Sequence, residues 1–485
     1  MGVLNSLLKL YGRKSMKLIF VHGWGVTNTS SYGELPQSLV TKASSAGLQL
    51  DLEHINLGEY ISFHDEVSMD DISRAMQQAL IDLPGNEASI QAFSCITHST
   101  GGPVVRSWVD KYYGAAGLAS LPLKHLVMLA PANHGSSLAV LGKQRVGRIK
   151  SWFAGVEPGQ RVLDWLCLGS QGQWQLNESC MTYDYVGNSY YPFVLSGQGI
   201  DTKFYDFLNS YLIESGSDGV VRVAGANMNY RYLALEQSEE QLNGFQGKVY
   251  RLKPSEIEPV RQAAEVPIGV LSEFSHSGPS MGIMANKASS ANHHIVVNQV
   301  LACLKVNSAA DYQQRSVELT QLSQVEQAKV PCGKKQTIGK YCMLVVRVRD
   351  QTGEHIHNEN YDVLLLAGKG YKPYQLPEGF FVDKQMNQST HSLVYYIDAE
   401  KMSQIKDSCF GIHIMARPNK GFSFYADTQF RSEGLAIDKV CAANQTTYID
   451  ITIHRDVDKN VFRFTSAKAP RKSFKGIKTS GDKIA

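Results

Sequence analysis

The residues most able to do chemistry lie in Thr97-His98-Ser99-Thr100-Gly101. A strand-like run, Ala88 to His98, leads into them, and a helix-like run, Gly102 to Tyr113, follows. The pattern is G-x-S-x-G with threonine in the first glycine position. A serine in so sharp a strand-to-helix turn holds its hydroxyl clear of the backbone, and the flanking residues must be small because strand and helix nearly collide. Gly101 meets that demand and Thr97 meets it partly; the plainer alternative is an ordinary turn in which Ser99 caps a helix. A serine hydroxyl attacks a carbonyl only with a base to take its proton, an acid to orient the base, and N–H donors for the oxyanion. Ser217-Asp218-Gly219 offers the acid, with Asp201 as its competitor. Ser275-His276-Ser277-Gly278, just past a late strand-like run (Pro267 to Phe274), offers the base, with His293 and His294 as alternatives. The order Ser99, Asp218, His276 is the serine–acid–histidine order that goes with the elbow motif. His134 precedes the acid, breaks that order and reads as structural, while His98 is expected to point away from the nucleophile. The oxyanion donors are the N–H of Thr100 and that of Trp24 in His22-Gly23-Trp24-Gly25, about 75 residues upstream of the serine. This chemistry needs no metal and no organic cofactor.

Such residues must meet at the C-terminal edge of a parallel sheet. The strand candidates Lys17 to His22, Ala88 to His98, Lys124 to Ala130 and Tyr191 to Ser196 alternate with helix-like stretches, the signature of an α/β domain. Met69 to Leu83 carries apolar residues on one helical face, with Ser68 and Asp71 spaced as a capping box. Residues 1–305 are expected to form this domain. An excursion at about 135–191 holds Trp152, Phe153, Trp165, Trp174, Tyr183, Tyr185, Tyr190 and Tyr191. It is expected to cap the active edge with an apolar wall that receives an acyl chain or touches a membrane, to form a packed helical subdomain, or both. Residues 306–338 read as a polar linker with room for one helix. From Met343 onward the apolar period becomes two, so 339–465 is expected to be a smaller all-β, sandwich-like domain, followed by a basic tail at 466–485.

Composition narrows the class. Over 485 residues, 43% are hydrophobic and 19% charged, enough to build a core and too apolar for a disordered chain. No apolar run reaches the roughly 20 residues of a membrane-spanning helix. The eight cysteines include no CxxC pair, so buried thiols are expected in place of a disulfide or zinc framework. His355 and His357 could face one side of a strand as metal ligands, but a solvent-facing pair is the expected reading. The N-terminus has no cleavable signal peptide pattern; Gly2 and Ser6 fit a myristoylation pattern short enough to arise by chance, and residues 3–11 read as an amphipathic helix. From Lys468 onward six basic residues face one acid, making the tail +5 in a chain of net charge +3. With Phe474 and Ile477 among the lysines it suits an anionic lipid surface, and equally a solvated end.

Taken together, FVHGWG (20–25), THSTGG (97–102), SDGVV (217–221) and SHSG (275–278), with a β-rich domain after them, resemble the bacterial PlaB-type phospholipase A family in the lipase branch of the α/β-hydrolases. The likeness covers most of the chain, and the threonine form of the elbow is its most specific part. The resemblance implies a serine phospholipase A and lysophospholipase A, with Ser99 as nucleophile, Asp218 as acid and His276 as base. It further implies a homo-oligomer at a bacterial phospholipid membrane surface, on the outer membrane or cell surface, reached without a cleaved signal peptide; without the resemblance a cytoplasmic place would be expected, and nucleic acid is not expected as a partner. A lipase, thioesterase or protein-lipid deacylase would use the same residues, and a non-catalytic membrane-binding protein could share the scaffold.

Overall fold

The computed structural model describes residues 15–22, 31–62, 64–139, 159–200, 214–240, 249–278, 281–284, 293–329, 338–419, 421–433 and 435–458. The N-terminal helix candidate, Trp24, Trp152, Phe153, Asp201 and the basic tail lie outside them.

The first sheet comprises β1 (Met16–His22), β2 (Leu50–Asn56), β3 (Phe93–His98), β4 (Leu123–Leu129), β5 (Tyr191–Gly197) and β9 (Ile268–Leu271). Its order is β2-β1-β3-β4-β5-β9 and every pair is parallel. Leu18, Ile19, Phe20 and Val21 of β1 are all fully buried, as a strand covered on both faces requires. Leu18 and Phe20 face α1 (Leu35–Ala43), while Ile19 and Val21 face α2 (Met69–Ile81) and α3 (Gly101–Tyr112). The capping box at α2 is complete: Ser68 Oγ accepts from the Asp71 N–H and the Asp71 carboxylate accepts from the Ser68 N–H. The chain leaves β1 toward β2 on one side and returns to β3 on the other, so the sheet reverses direction beside β1, where α/β sheets open a crevice at their C-terminal edge.

The described part of the 135–191 excursion contains α4 (Gln160–Leu166) and α5 (Gln171–Cys180). Tyr183, Tyr185 and Tyr190 are buried in the main core, packed edge to face. Trp174 is buried against Tyr448 and Tyr232, with the Arg347 guanidinium 3.9 Å from its ring centroid. These aromatic residues serve as packing. After α6 (His293–Leu304), the polar stretch expected as a linker is largely the 19-residue helix α7 (Ala309–Gln327). It seals the sheet's β9 edge: Val270 N–H donates to Ser323 Oγ at 2.9 Å, and Glu326 accepts from Ser272 N–H and Oγ.

The β-rich second domain is present, built on one continuous mixed sheet. Its strands are β6 (Tyr230–Glu240), β7 (Val249–Pro254), β8 (Arg261–Gln262), β10 (Tyr341–Asp350), β11 (Tyr361–Ala367), β12 (Phe381–Met386), β13 (Leu393–Asp398), β14 (Phe410–Ala416), β16 (Thr428–Arg431) and β17 (Thr446–Ile453), while β15 (Ser423–Tyr425) and β18 (Arg455–Val457) pair as a separate ribbon. The order is β11-β14-β16-β7-β6-β17-β10-β13-β12, with β8 on β6. The sheet curls until Tyr395 OH of β13 reaches Val363 O of β11 at 3.3 Å, closing around a single core. Three of these strands, β6 to β8, come from the stretch 1–305 expected to belong wholly to the first domain. The physical reason lies in the side-chain alternation of β6. Leu233 and Leu235 fill the second core, while Tyr230 and Tyr232 fill the seam between domains, so the strand is covered on both faces only in that position. Strands β10 and β13 alternate the same way, sending Met343, Val345, Val394 and Tyr396 into the seam.

Candidate active site

Ser99 sits between β3 and α3 with φ of +52°, the left-handed region a non-glycine residue rarely occupies, and this is the sharp turn the motif demands. The turn is fixed by its neighbours: Ser99 N–H donates to Leu129 O at 3.0 Å, and Ala132 N–H donates to Ser99 O at 3.4 Å. The need for small flanking residues is plain at Gly102, where an added Cβ would stand 2.7 Å from Pro131 Cβ. Thr97 is wholly buried.

Asp218 lies in a tight loop after β5 and is fully buried. One carboxylate oxygen, Oδ1, accepts from the N–H groups of Val220 and Val221 at 3.0 and 2.8 Å, which leaves Oδ2 aimed at His276 Nδ1, 2.9 Å away. His276 follows β9 and is also held through its backbone, its N–H donating to Asp218 O at 3.0 Å. Its Nε2 lies 2.9 Å from Ser99 Oγ. An ionised carboxylate only accepts, so Nδ1 carries the hydrogen and Nε2 presents a lone pair to the Ser99 hydroxyl. A hydroxyl, imidazole and carboxylate joined in this way can pass a proton from oxygen to nitrogen while the carboxylate offsets the charge that develops.

The remaining candidates are placed elsewhere. His293 hydrogen-bonds Ser38 Oγ at 2.7 Å, linking α6 to α1, and His294 beside it is exposed. His134 is buried in the seam, where its Nε2 donates to Asn227 O at 2.7 Å and its Nδ1 accepts from Tyr448 OH at 2.8 Å. Burial, reinforced by the Arg106 charge, lowers its pKa to about 3. Thr100 follows Ser99 at the N-terminus of α3; its intended counterpart Trp24 is outside the described residues.

His98 is tied to the histidine loop. Its ring lies 4.7 Å from that of His276, and its Nε2 donates to the His276 carbonyl at 3.0 Å, so it braces the histidine loop. Burial, with the nearby His276 charge, holds its pKa well below the usual range, which suits a neutral donor. Nothing in the local pattern marks this role, because the partner is 178 residues away.

His22 closes β1 with Nε2 3.0 Å from His54 Nδ1 and Nδ1 2.6 Å from Ser31 Oγ. Burial and the His54 charge lower its pKa to about 4, so a neutral, hydrogen-bonded pair stands at the C-terminal end of β1. Among the described residues no group of three potential ligands is arranged to hold a metal ion, and no helix is long and apolar enough to cross a membrane. In the second domain His355 Nδ1 donates to Thr390 O, and His357 is exposed beside His391.

No protein-family model and no curated protein matches the chain. Among solved structures, phospholipase PlaB from Legionella pneumophila is 40% identical with a TM-score of 0.82, over 98% of this chain and 100% of that one. The same phospholipase in complex with thio-NAD is 39% identical with a TM-score of 0.82, over 94% of this chain and 98% of that one.

Proposed function

This chain belongs to the PlaB phospholipase family, and from that premise we propose that it is a carboxylic ester hydrolase that releases fatty acids from phospholipids and lysophospholipids through Ser99, His276 and Asp218. The observation that carries the reading is the unbroken chain of two 2.9 Å contacts from Ser99 Oγ through His276 to Asp218 Oδ2. His276 Nε2 takes the hydroxyl proton as Ser99 Oγ attacks the ester carbonyl. Asp218 holds the imidazole in the required tautomer and stabilises the imidazolium. The N–H groups of Thr100 and Trp24 receive the oxyanion, each worth about 3 kcal/mol in such sites. His276 then protonates the departing alcohol, and water activated by the same imidazole hydrolyses the acyl-enzyme. The protein works as a peripheral enzyme at a bacterial membrane surface and as a homo-oligomer, the lipid substrate being presented by the bilayer.

The test is fatty-acid release from vesicles of diacyl phosphatidylglycerol, from lysophosphatidylcholine micelles and from triacylglycerol emulsions, for the wild-type protein and Ser99→Ala. Release from the first two and not the third, abolished in a folded Ser99→Ala protein, is the expected result. A folded, active Ser99→Ala protein removes the mechanism, and preference for triacylglycerol replaces the substrate class.

A further inference from the structure

We propose that Arg222 is a positioning residue for Asp218, and that the second domain sets the acid's geometry by gripping Arg222 through Asp383 and Tyr396. The inference rests on the reading of Ser99, His276 and Asp218 given above. Residues 214–222 form a closed loop: Ser217 pairs with Arg222 as an isolated bridge, and Val223 N–H donates to Gly216 O at 2.9 Å. Arg222 closes that loop and is 1% exposed. Its guanidinium forks onto Glu214, with Nε to Oε2 at 2.9 Å and Nη2 to Oε1 at 2.5 Å, while Nη2 also reaches Asp383 Oδ2 of β12 at 2.5 Å. The same guanidinium stacks 4.1 Å from the ring centroid of Tyr396 on β13. Tyr396 OH in turn donates to Ser215 O at 3.0 Å.

The link to chemistry is one peptide long. Val221, whose N–H aligns Asp218 Oδ1, is the residue immediately before Arg222. Any shift of Arg222 therefore moves a donor that orients the carboxylate, and a misplacement of about 1 Å can cost on the order of 100-fold in rate. The loop has no slack on the side of the second domain: a Cβ at Gly216, whose φ is +74°, would lie 2.3 Å from Tyr341 Cδ2 and 2.4 Å from Tyr396 OH. A purely structural role would change melting temperature and leave turnover alone, whereas a positioning role lowers kcat at constant KM.

The full-length protein is assayed with p-nitrophenyl butyrate, whose solubility removes membrane docking from the readout, and by the rate of fluorophosphonate labelling at Ser99. Arg222→Lys and the double variant Asp383→Asn/Tyr396→Phe are expected to lower kcat by about 10- to 100-fold with KM within about twofold, and to slow labelling in proportion. Arg222→Lys keeps the charge without the fork, so it recovers part of the activity lost in Arg222→Met. If the double variant fails to fold, Asp383→Asn alone decides: Asp383 is 31% exposed, and a loss in kcat of about threefold or more is required of it. Wild-type kcat and labelling in folded Asp383→Asn/Tyr396→Phe, or in Asp383→Asn when it stands alone, overturn the proposal. Activity surviving in Ser99→Ala overturns instead the reading on which it rests.

Discussion

Ser99 and Asp218 stand at the two ends of one hydrogen-bonded chain, and they are held in place by different means. Ser99 is fixed by its own surroundings in the first domain: a buried strand before it, a helix after it, and the β4 end with Pro131 beside it. Asp218 has its carboxylate set by adjacent backbone, but the outer side of its loop rests on the second domain. Tyr396 meets Ser215, Thr446 Oγ1 donates to Ala224 O at 2.8 Å, and Asn227 Nδ2 donates to Asn444 O at 2.7 Å. One end of the proton path is thus a local motif, and the other is a tertiary product of residues more than a hundred positions apart. Damage to the second domain should therefore reach the acid before it reaches the nucleophile.

The strongest way to break the comparison is to remove each end in turn. Loss of the nucleophile or base, in Ser99→Ala or His276→Ala, should cost on the order of 10⁶-fold in kcat, measured by fatty-acid release. Asp218→Asn should cost about 10⁴-fold, less because the His276 imidazole is still there to act as base, though held in the wrong tautomer. Acid sharpens the contrast. His125, inside the first domain between Ser94 Oγ and Val306 O, and His134, in the seam, have pKa values lowered by burial to about 4 and about 3. The unfolded chain binds these protons from pH 6.5 downward and the folded protein does not. Their contribution is thus complete above pH 6.5 and lost on acidification, by up to about 1.4 kcal/mol per pH unit for each. Denaturant midpoints between pH 7 and pH 5 measure this, and replacing His134 by Gln should flatten the slope. Gly102→Ala distorts the elbow from within: its Cβ forces Pro131 to move, for about 1–3 kcal/mol of stability and a fall in kcat with the Asp218 loop intact. The smallest effect belongs to Tyr448→Phe, which takes one hydrogen bond each from His134 and Asn177, worth about 1 kcal/mol apiece in thermal unfolding.

How much the sequence discloses follows the same division. The β3–Ser99–α3 unit is legible because strand, turn and helix are contiguous and the turn restricts residue size. Asp218 and His276 are reached only by order along the chain, and their spatial meeting depends on β5 and β9 lying side by side in the sheet. The destination of β6 is not legible: Tyr230 to Glu240 shows strand alternation, but no local property tells which sheet a strand will join. The helix at 309–327 is legible only as room for one helix in a polar stretch, because it buries only a thin stripe, Tyr312, Arg315, Ser316 and Leu319. His98 and Arg222 escape notice for a related reason, since what each does is defined by partners supplied from far along the chain.

The parallel pairing of β6 with β17 carries a consequence for biosynthesis. Tyr230 lies opposite Thr446, so a ribosome releases the serine, the acid and the base long before it releases the strand that closes the gap beside them. A half-made polypeptide has β6 bare along one edge and the acid's loop without Asn444 and Thr446 beneath it. A chain cut at the polar stretch after residue 305 would therefore carry β6 without the strand that pairs along its edge.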